Sequence, residues 1–274
     1  MKVYDKIQSC EKFFLISGPC VLESEDTVFT VAHFLKEYAL KNDLLLIFKS
    51  SYRKANRSSL GSPTGPGLSA GLELLNKVKT KFDLPILTDV HETGEISEVA
   101  EVADVIQIPA FLSRQTDLII KAAETGKIIN IKKGQFMAPE DMGSAAAKVT
   151  STGNRQILLT ERGTTFGYHD LVVDFRSFGT MSNFGFPVVF DVTHSLQKPA
   201  SGKETGGVPH YAGQLAPAAL ATGMVSGLFI ETHPQPERAL SDSSTQLKLQ
   251  ELPEILDLCI RIESVRKRGN YEKY

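Results

Sequence analysis

Short apolar segments recur along this chain, and each is followed by turn-forming or polar residues and then by a helix-like pattern. The segments are FFLIS (13–17), LLLIF (44–48), PILT (85–88), VIQI (105–108), IINI (128–131), ILLT (157–160), PVVF (187–190) and GLFI (227–230). They are short, continuous and rich in branched side chains, which is typical of strands buried on both faces. The pattern therefore predicts eight parallel strands.

Helical periodicity fills several of the stretches between these segments. One predicted helix starts near Ser24, with two acidic residues in its first turn. Others are predicted over 68–81, from Pro139 onward and over 247–265. Strands that alternate with helices indicate βαβ units.

Eight such units predict a single-domain (β/α)8 TIM barrel over residues 1–274, with 1–12 as a short N-terminal extension. The alternative is an open doubly wound sheet, but no G-x-G-x-x-G motif follows the first strand. For the first nine residues two alternatives stay open, a strand pair that plugs the bottom of the barrel and a frayed end.

Polar residues capable of chemistry lie at or just after the end of every predicted strand. They are Cys20, Lys49, Asp89, Gln107, Lys132, Arg162, His194 and Glu231. Active sites of these barrels are built at the carboxyl ends of the strands. We therefore expect these side chains to meet in one cavity, although ordinary loops are polar too.

Composition narrows the class of protein. Of 274 residues, 42% are hydrophobic and 23% charged, which excludes a disordered chain, a collagen and a coiled coil. A net charge of −2 gives no global field that attracts nucleic acid. No apolar run of about 20 residues is present to span a membrane. We expect a cytoplasmic protein.

Three cysteines are too few to predict a disulfide framework. Cys259 lies on an apolar helix face and is predicted to be a core thiol, and Cys10 to be inert near the surface. Cys20, at the end of the first strand, is a candidate metal ligand.

A basic segment over residues 48–67 forms the first candidate site. Its cations are Lys49, Arg53, Lys54 and Arg57, interleaved with hydroxyl and amide side chains. Fixed cations and hydroxyl donors suit phosphate or carboxylate oxygens. A solvated basic loop is the alternative.

Two further cations are predicted to face the same cavity. Strand alternation places Lys132 inside the barrel and Lys133 outside, and Arg162 follows the sixth strand. Together with Lys49 and Lys54, they predict a substrate with two or more anionic groups. For Arg162 the alternative is an ion pair with Glu161 or Asp174.

A possible metal site is the third constellation. Cys20, His194, Glu231 and Asp242 follow strands that ring closure makes neighbours, and they combine soft and hard donors suited to a divalent transition metal. A structural role for a lone histidine stays open, and His233 is a competing ligand. A Schiff-base aldolase that uses Lys49 or Lys132 is another alternative.

Five motifs resemble those of the 3-deoxy-D-manno-octulosonate 8-phosphate synthases. They are GPCVLES (18–24), FKSSYRKANRSS (48–59), KKGQFMAPEDM (132–142), FDVTHSLQKP (190–199) and ETHPQPERALSD (231–242). The likeness runs in order from Phe13 to Val265. The KANRSS segment distinguishes this family from the related 3-deoxy-arabino-heptulosonate 7-phosphate synthases, which carry a K-P-R-T-S type motif there.

The resemblance implies a transferase that condenses phosphoenolpyruvate with D-arabinose 5-phosphate and water in lipopolysaccharide biosynthesis. It implies that Lys54, Lys132 and Arg162 hold phosphoenolpyruvate, with Lys49 and Ser51 nearby. It further implies sugar phosphate and hydroxyl contacts from Asn56, Arg57 and Ser58, and Asp89 and Gln107 in the floor of the site. The predicted catalytic residues are Lys49, Lys54, Asp89, Lys132 and His194.

The family has a metal-dependent branch with Cys in the position of Cys20 and a metal-free branch with Asn there. Cys20 therefore implies one divalent transition metal (Fe, Zn, Mn or Co), held by Cys20, His194, Glu231 and Asp242. The resemblance also implies a homotetramer, in which Arg114 reaches the sugar phosphate in a neighbouring site. We expect no nucleic-acid or membrane partner.

Alternatives remain at this point. They are the seven-carbon synthase that uses erythrose 4-phosphate and a non-catalytic phosphosugar-binding barrel. The glycine-rich segment 201–210, which follows the seventh strand, is predicted to be a lid over the sugar.

Overall fold

Eight parallel strands form one closed barrel. They are β1 (Phe14–Gly18), β2 (Leu46–Lys49), β3 (Ile86–Asp89), β4 (Val105–Ile108), β5 (Ile128–Lys132), β6 (Ile157–Glu161), β7 (Val188–Asp191) and β8 (Gly227–His233). Each strand pairs with the next, and β8 pairs with β1 from Phe14–Gly227 to Gly18–Glu231. This computed structural model describes residues 2–55, 63–199 and 206–268. The predicted (β/α)8 barrel is confirmed, and no open sheet edge remains among the eight strands.

Helices surround the barrel, apart from α1 (Val3–Ser9), which lies at its amino-terminal end. The surrounding helices are α2 (Glu25–Asn42), α3 (Leu68–Phe82), α4 (Ile96–Val102), α5 (Thr116–Ala123), α6 (Asp141–Thr150), α7 (Arg176–Ser182), α8 (Val192–Ser195), α9 (Ala212–Ala221) and α10 (Leu252–Arg268). Shorter strands lie in the loops, at Thr164–Gly167, Asp170–Val172, Gln197–Lys198, Gly206–Gly207 and Leu247–Lys248. Within the described part of the chain, no helix is both long enough and apolar enough to cross a membrane.

Both faces of the strands are buried, as the continuous apolar runs predict. Residues such as Leu15, Phe48 and Ile106 pack outward against the helices in the main core. The alternate residues pack inside the barrel in a second cluster, which includes Ile16, Phe229 and seven more strand residues. Side chains alternate along a strand, so a residue two positions beyond an inward apolar residue also points into the barrel. The inner cluster therefore determines which strand-end residues face the barrel interior.

The amino-terminal extension forms a helix at the bottom of the barrel, so the predicted plug is correct in position but wrong as a strand pair, and the frayed end is wrong. Tyr4 and Ile7 of α1 are buried in the inner cluster, among the first inward residues of the strands. The Tyr4 hydroxyl donates to the Ile157 carbonyl, 3.4 Å away. Helix α1 therefore closes the amino-terminal end of the barrel.

The predicted helix starts are correct for α2 but wrong for α10. The Ser24 hydroxyl accepts a hydrogen bond from the Thr27 amide and caps α2. Residues 247–248 instead extend the chain beside Thr232 and His233 of β8, and α10 starts only at Leu252. Pro253 fits the first turn of a helix, where no amide donor is needed.

Candidate active site

A layer of polar side chains lies directly above the apolar inner cluster, at the carboxyl ends of the strands. Each is two or four positions beyond an apolar inward residue, as Asp89 is beyond Leu87 and Glu231 beyond Phe229. The layer comprises Lys49, Asp89, Gln107, Asn130, Lys132, Thr160, Asp191 and Glu231, all buried. The barrel therefore brings these strand-end residues together, as expected.

Lys49 is paired with an acid inside this layer. Its Nζ lies 2.5 Å from Glu231 Oε1 and donates to the Cys20 carbonyl at 2.9 Å. Gly18 permits this approach of β1 to β2, because a Cβ there would lie 2.0 Å from the Lys49 carbonyl oxygen. The glycine of the GPC motif thus places Cys20 beside Lys49.

Lys132 is paired in the same way. Its Nζ lies 2.5 Å from Asp191 Oδ2, 3.3 Å from His194 Nδ1 and 4.4 Å from the centre of the Phe229 ring. Burial, followed by the charge of Arg162, lowers the pKa of Lys132 despite the attraction of Asp191. Lys133 points out of the barrel, as predicted, and pairs with Glu161 at 3.4 Å.

Arg162 is the cation of this site that has no acid partner among the described residues. Its side chain is buried and donates through Nη2 to Gln197 Oε1 at 2.7 Å. Its Nε and Nη1 have no hydrogen-bond partner within the described ranges. The alternative ion pairs are wrong, since Asp174 pairs with Arg176, and Glu161 accepts from the Arg162 and Gly163 amides.

The prediction that Lys49, Lys54, Lys132 and Arg162 together depend on the anionic groups of a substrate therefore needs correction. Lys54 also forms an ion pair, because its Nζ lies 3.2 Å from Asp242 Oδ2. The same Nζ lies 2.9 Å from Cys20 Sγ. All three lysines are neutralised within the protein. The buried guanidinium of Arg162, with two unused donor atoms, is the clearest candidate for binding an anion.

Three of the four predicted metal ligands form one cluster. The donor atoms of Cys20, Glu231 and Asp242 all lie within 4.8 Å of one another. His194 lies beside this group rather than within it, with its Nε2 3.7 Å from Glu231 Oε2. Its Nδ1 faces Asp191 at 2.9 Å, which leaves Nε2 directed at the cluster.

The chemistry of these donors fits a divalent transition metal. Glu231 Oε2 is buried and has no hydrogen-bond partner in the described part of the chain. Burial raises the pKa of the Cys20 thiol, and the charges of Asp242 and Glu231 raise it further. A bound cation removes this penalty, because it stabilises the thiolate and separates the negative charges.

His233, the competing ligand, is engaged elsewhere. Its Nε2 lies 3.3 Å from Glu23 Oε2, and its Nδ1 accepts from the Gln235 amide at 3.0 Å. Glu23 also accepts from the Leu240 amide at 2.9 Å. Through Glu23, the loop after β1 is therefore joined to the end of β8 and to the loop that follows it.

Asp89 and Gln107 are neighbouring members of the buried polar layer, on β3 and β4. Burial alone would raise the pKa of Asp89, but the hydrogen bond and charge of His91, 3.0 Å away, together with the nearby lysines, hold it below its usual range. Asp89 Oδ1 has no partner among described residues. Gln107 accepts from Asn130, and Asn130 accepts from Thr160.

The remaining predicted residues differ in how far they can be placed. Ser51 is buried, and its backbone bonds to Cys20 and Leu22. Arg114 is exposed, and its carbonyl accepts from Lys148. The predictions on Asn56, Arg57 and Ser58 fall outside the described residues, as does the 201–205 part of the proposed lid.

Sequence reasoning missed Asp191, Gln197 and Gln246. Asp191 orients His194 and neutralises Lys132, and its inward position follows from Val189 by strand alternation. Gln197 joins Arg162 to Asp242, and Gln246 accepts from the Cys20 amide and donates to the Ser241 carbonyl. Glutamines in loops carry no periodic signal that would have found these two.

Comparison with known proteins gives consistent matches. The model of the DAHP synthetase I family matches residues 6–267. A 2-dehydro-3-deoxyphosphooctonate aldolase of Fusobacterium nucleatum is 51% identical over 258 residues, which are 94% of this chain and 92% of that protein. A protein of the same name from Syntrophotalea carbinolica is 49% identical over 94% of this chain and 93% of that protein. The 2-dehydro-3-deoxyphosphooctonate aldolase 1 of Arabidopsis thaliana is 48% identical over 97% of this chain and 93% of that protein.

Proposed function

We propose that this chain, which belongs to the DAHP synthetase I family, catalyses one particular reaction of that family. The reaction condenses phosphoenolpyruvate, D-arabinose 5-phosphate and water to 3-deoxy-D-manno-octulosonate 8-phosphate and inorganic phosphate. The name shared by relatives that match nearly the whole chain supports the choice of the eight-carbon product. The enzyme is then a transferase of lipopolysaccharide biosynthesis.

The observation that carries the anionic substrate is the buried guanidinium of Arg162, which keeps two unused donors at the barrel mouth. A buried unpaired charge is costly, so a ligand anion offsets the cost. In the proposal, Arg162, Lys54 and Lys132 bind the phosphate and carboxylate of phosphoenolpyruvate, with Lys49 and Ser51 beside them. They align the reactant and stabilise charge that develops on it.

In the proposed reaction, C3 of phosphoenolpyruvate attacks the aldehyde carbon and a C–C bond forms. Water adds at C2 and gives up one proton, while the aldehyde oxygen takes up a proton and becomes a hydroxyl. The new C2 hydroxyl then loses its proton as phosphate leaves with the electrons of the C–O bond, which gives the C2 ketone of the product. Asp89, held by His91, offers its free Oδ1 to a sugar hydroxyl, and Gln107 lines the floor. Asn56, Arg57 and Ser58 complete the sugar-phosphate site.

Cys20, His194, Glu231 and Asp242 are proposed to hold one divalent transition metal, with iron, zinc, manganese and cobalt all compatible with these donors. When bound, such an ion supplies Lewis-acid chemistry, which orients the aldehyde or polarises water. The chain's own contribution is to hold the ligands, through Asp191 on His194 and Gln246 on the Cys20 backbone.

We further propose that residues 1–274 act as one cytoplasmic domain in a homotetramer. Arg114 supports this proposal, because it is exposed on the short loop before α5 and has no ion pair among the described residues. In the tetramer, Arg114 reaches the sugar phosphate bound to a neighbouring subunit.

The test is phosphate release from phosphoenolpyruvate with arabinose 5-phosphate, on chelator-stripped protein with and without Mn²⁺. Release that requires Mn²⁺ supports the reaction and the Cys20 site together. Equal release without metal keeps the reaction and refutes the metal proposal.

Substrate swaps separate the rival functions. Faster release with erythrose 4-phosphate would identify the seven-carbon synthase, which the family model also covers. Arabinose 5-phosphate binding without any release would identify a non-catalytic barrel. Covalent trapping of pyruvate by borohydride would identify a Schiff-base aldolase.

A further inference from the structure

One carboxylate outside the barrel mouth joins two segments that carry site residues. Glu95 ends a one-turn 3-10 helix at 93–95 after β3. Its Oε2 accepts from the Tyr52 hydroxyl at 2.7 Å, and its Oε1 lies 2.8 Å from Arg53 Nη2. Oε2 also accepts from the backbone amides of His91 and Glu92, at 3.2 and 3.3 Å.

These contacts are largely shielded from water. The Glu95 side chain is 13% exposed, and Tyr52 is fully buried. The tyrosine ring packs edge-on to His91, with 5.9 Å between ring centres. Gly71 passes so close that a Cβ there would lie 2.4 Å from Tyr52 Cβ. Tyr52 therefore has a single packed position, and its hydroxyl is aimed at Glu95.

Each joined segment leads into the candidate site. Lys54 lies two residues after Tyr52, and its Nζ contacts Cys20 and Asp242. On the other side, His91 holds Asp89 at 3.0 Å. A shift of Tyr52 relative to His91 would change the separation of Lys54 and Asp89.

The backbone of the first segment is anchored on its opposite side. The Lys54 amide donates to the Thr64 carbonyl at 2.9 Å, and the Gly67 amide donates to the Tyr52 carbonyl at 3.1 Å. These bonds fix the segment to residues further along the chain, whereas Glu95 fixes it to the turn after β3. Glu95 is thus the buried polar contact that joins the Lys54 segment to the turn after Asp89, beside the ring contact of Tyr52 with His91 and the exposed pair of Arg53 with Glu92.

We propose that Glu95 is a positioning residue, which sets Lys54 at the phosphoenolpyruvate end of the site by holding Tyr52 and Arg53 against the His91 turn. The proposal rests on the function proposed above for the role of Lys54. Glu95 touches no substrate and acts through these neighbours.

The chain offers a matched control, because Arg53 contacts a second carboxylate. Glu92 Oε1 lies 3.1 Å from Arg53 Nη2, but its side chain is 70% exposed. Exposed ion pairs of this kind contribute little. Glu92→Ala therefore removes a charge near Arg53, and with it the bond that the Glu92 side chain accepts from the Glu95 amide, but it keeps the hydrogen bond of Tyr52 to Glu95.

The experiment measures two quantities for wild type, Glu95→Ala, Glu95→Gln, Tyr52→Phe and Glu92→Ala. One is the Kd of phosphoenolpyruvate on metal-loaded protein by calorimetry, and the other is kcat/KM with arabinose 5-phosphate. We expect Glu95→Ala to weaken both by about tenfold or more, as misplacement of a binding group does. Tyr52→Phe keeps the ring and should lose about fivefold, the equivalent of one hydrogen bond.

The conservative and control variants make the role specific. Glu95→Gln keeps an oxygen acceptor for the hydroxyl and amides, so we expect it to restore most of the loss. Glu92→Ala should stay within about twofold of wild type, as a surface ion pair does. If Glu95→Ala is too unstable to assay, Tyr52→Phe and Glu95→Gln carry the comparison.

Opposite results would overturn the proposal. A Glu95→Ala variant that melts earlier but binds phosphoenolpyruvate normally when folded would show a structural role alone. Equal losses in Glu92→Ala and Glu95→Ala would show a general charge effect. Wild-type protein that binds phosphoenolpyruvate but releases no phosphate would refute the proposed reaction, while the Kd comparison would still decide the role of Glu95.

Discussion

The two ends of the barrel interior are built from the same eight strands but carry opposite kinds of side chain. At the amino-terminal end, Tyr4 and Ile7 of α1 cover an apolar layer that includes Leu158 and Phe229. At the other end, two positions further along the strands, buried charges face one another in pairs. The alternation of a strand thus assigns one layer to stability and the next to binding.

The energetic costs at the two ends differ as well. Burial of apolar side chains at the bottom stabilises the fold directly. At the mouth, burial of lysines and carboxylates is compensated only by close pairing, and Arg162 lacks even that. Such a layer persists because the surrounding structure holds it, and it gains stability when a ligand arrives.

Among the substitutions that distinguish the two ends of the barrel, we expect the largest effect from replacement of Arg162. Arg162→Ala should lower kcat/KM for phosphoenolpyruvate by about 10²- to 10³-fold, because it removes an electrostatic contact to the reacting anion. Its melting temperature should not fall, since a buried unpaired charge is removed. Arg176→Ala, at an exposed pair with Asp174, is the control and should change neither quantity. An active Arg162→Ala enzyme would contradict the assignment.

The opposite result is expected in the apolar layer. Leu158 is fully buried below Thr160, and Leu158→Ala should reduce the free energy of unfolding by about 3 kcal/mol through lost burial and a cavity. Denaturant unfolding measures this loss. Folded enzyme should keep kcat within about twofold, because a cavity in this layer does not remove a polar contact at the mouth. A large fall in kcat without loss of stability would show that the two layers are not separable.

Cys20 and Cys10 lie at opposite ends of the barrel, so metal binding by variants of each tests the comparison. Mn²⁺ at a hundred times its Kd should stabilise stripped wild-type protein by about 2.7 kcal/mol, because the ion binds only the folded state. Cys20→Ser should lose most of this stabilisation, since it replaces the soft donor of the cluster. Cys10→Ser, beside the apolar layer, should keep it. Thermal melts with and without Mn²⁺ test this, and equal shifts in both variants would refute the site.

The smallest effect is expected at α1. Tyr4→Phe keeps the packed ring and removes one long hydrogen bond to Ile157, so it should cost about 1 kcal/mol or less of unfolding free energy. Activity should be unchanged in a phosphate-release assay. A clear loss of activity would mean that the contacts of α1 influence the candidate active site at the carboxyl ends of the strands.

Much of the fold could be predicted from the sequence because its signals are local. All eight strands lie where continuous apolar runs predict them, within a few residues at their ends. Helix α1 was missed since its seven residues carry only two buried apolar side chains, and their partners are spread over the whole barrel. The start of α10 was placed too early because Leu247 packs as part of a short strand beside β8.

The candidate site could be predicted less completely. Strand alternation placed Lys132 inside and Lys133 outside, and ring closure brought Cys20 to Glu231 and Asp242. The pairing of Lys49 with Glu231 depends on partners 182 positions apart, which no local pattern reveals. For the same reason the sequence suggested an excess of positive charge where the structure has balanced pairs.

Helix α1 also bears on the order in which the chain can fold during synthesis. Tyr4 and Ile7 are synthesised well before the surface that receives them is complete, because this surface includes Val189 and Phe229 of the last two barrel strands. Contacts between such distant positions form late, after the loop-closure entropy has been paid. Docking of α1 therefore requires that the last barrel strand is already in place.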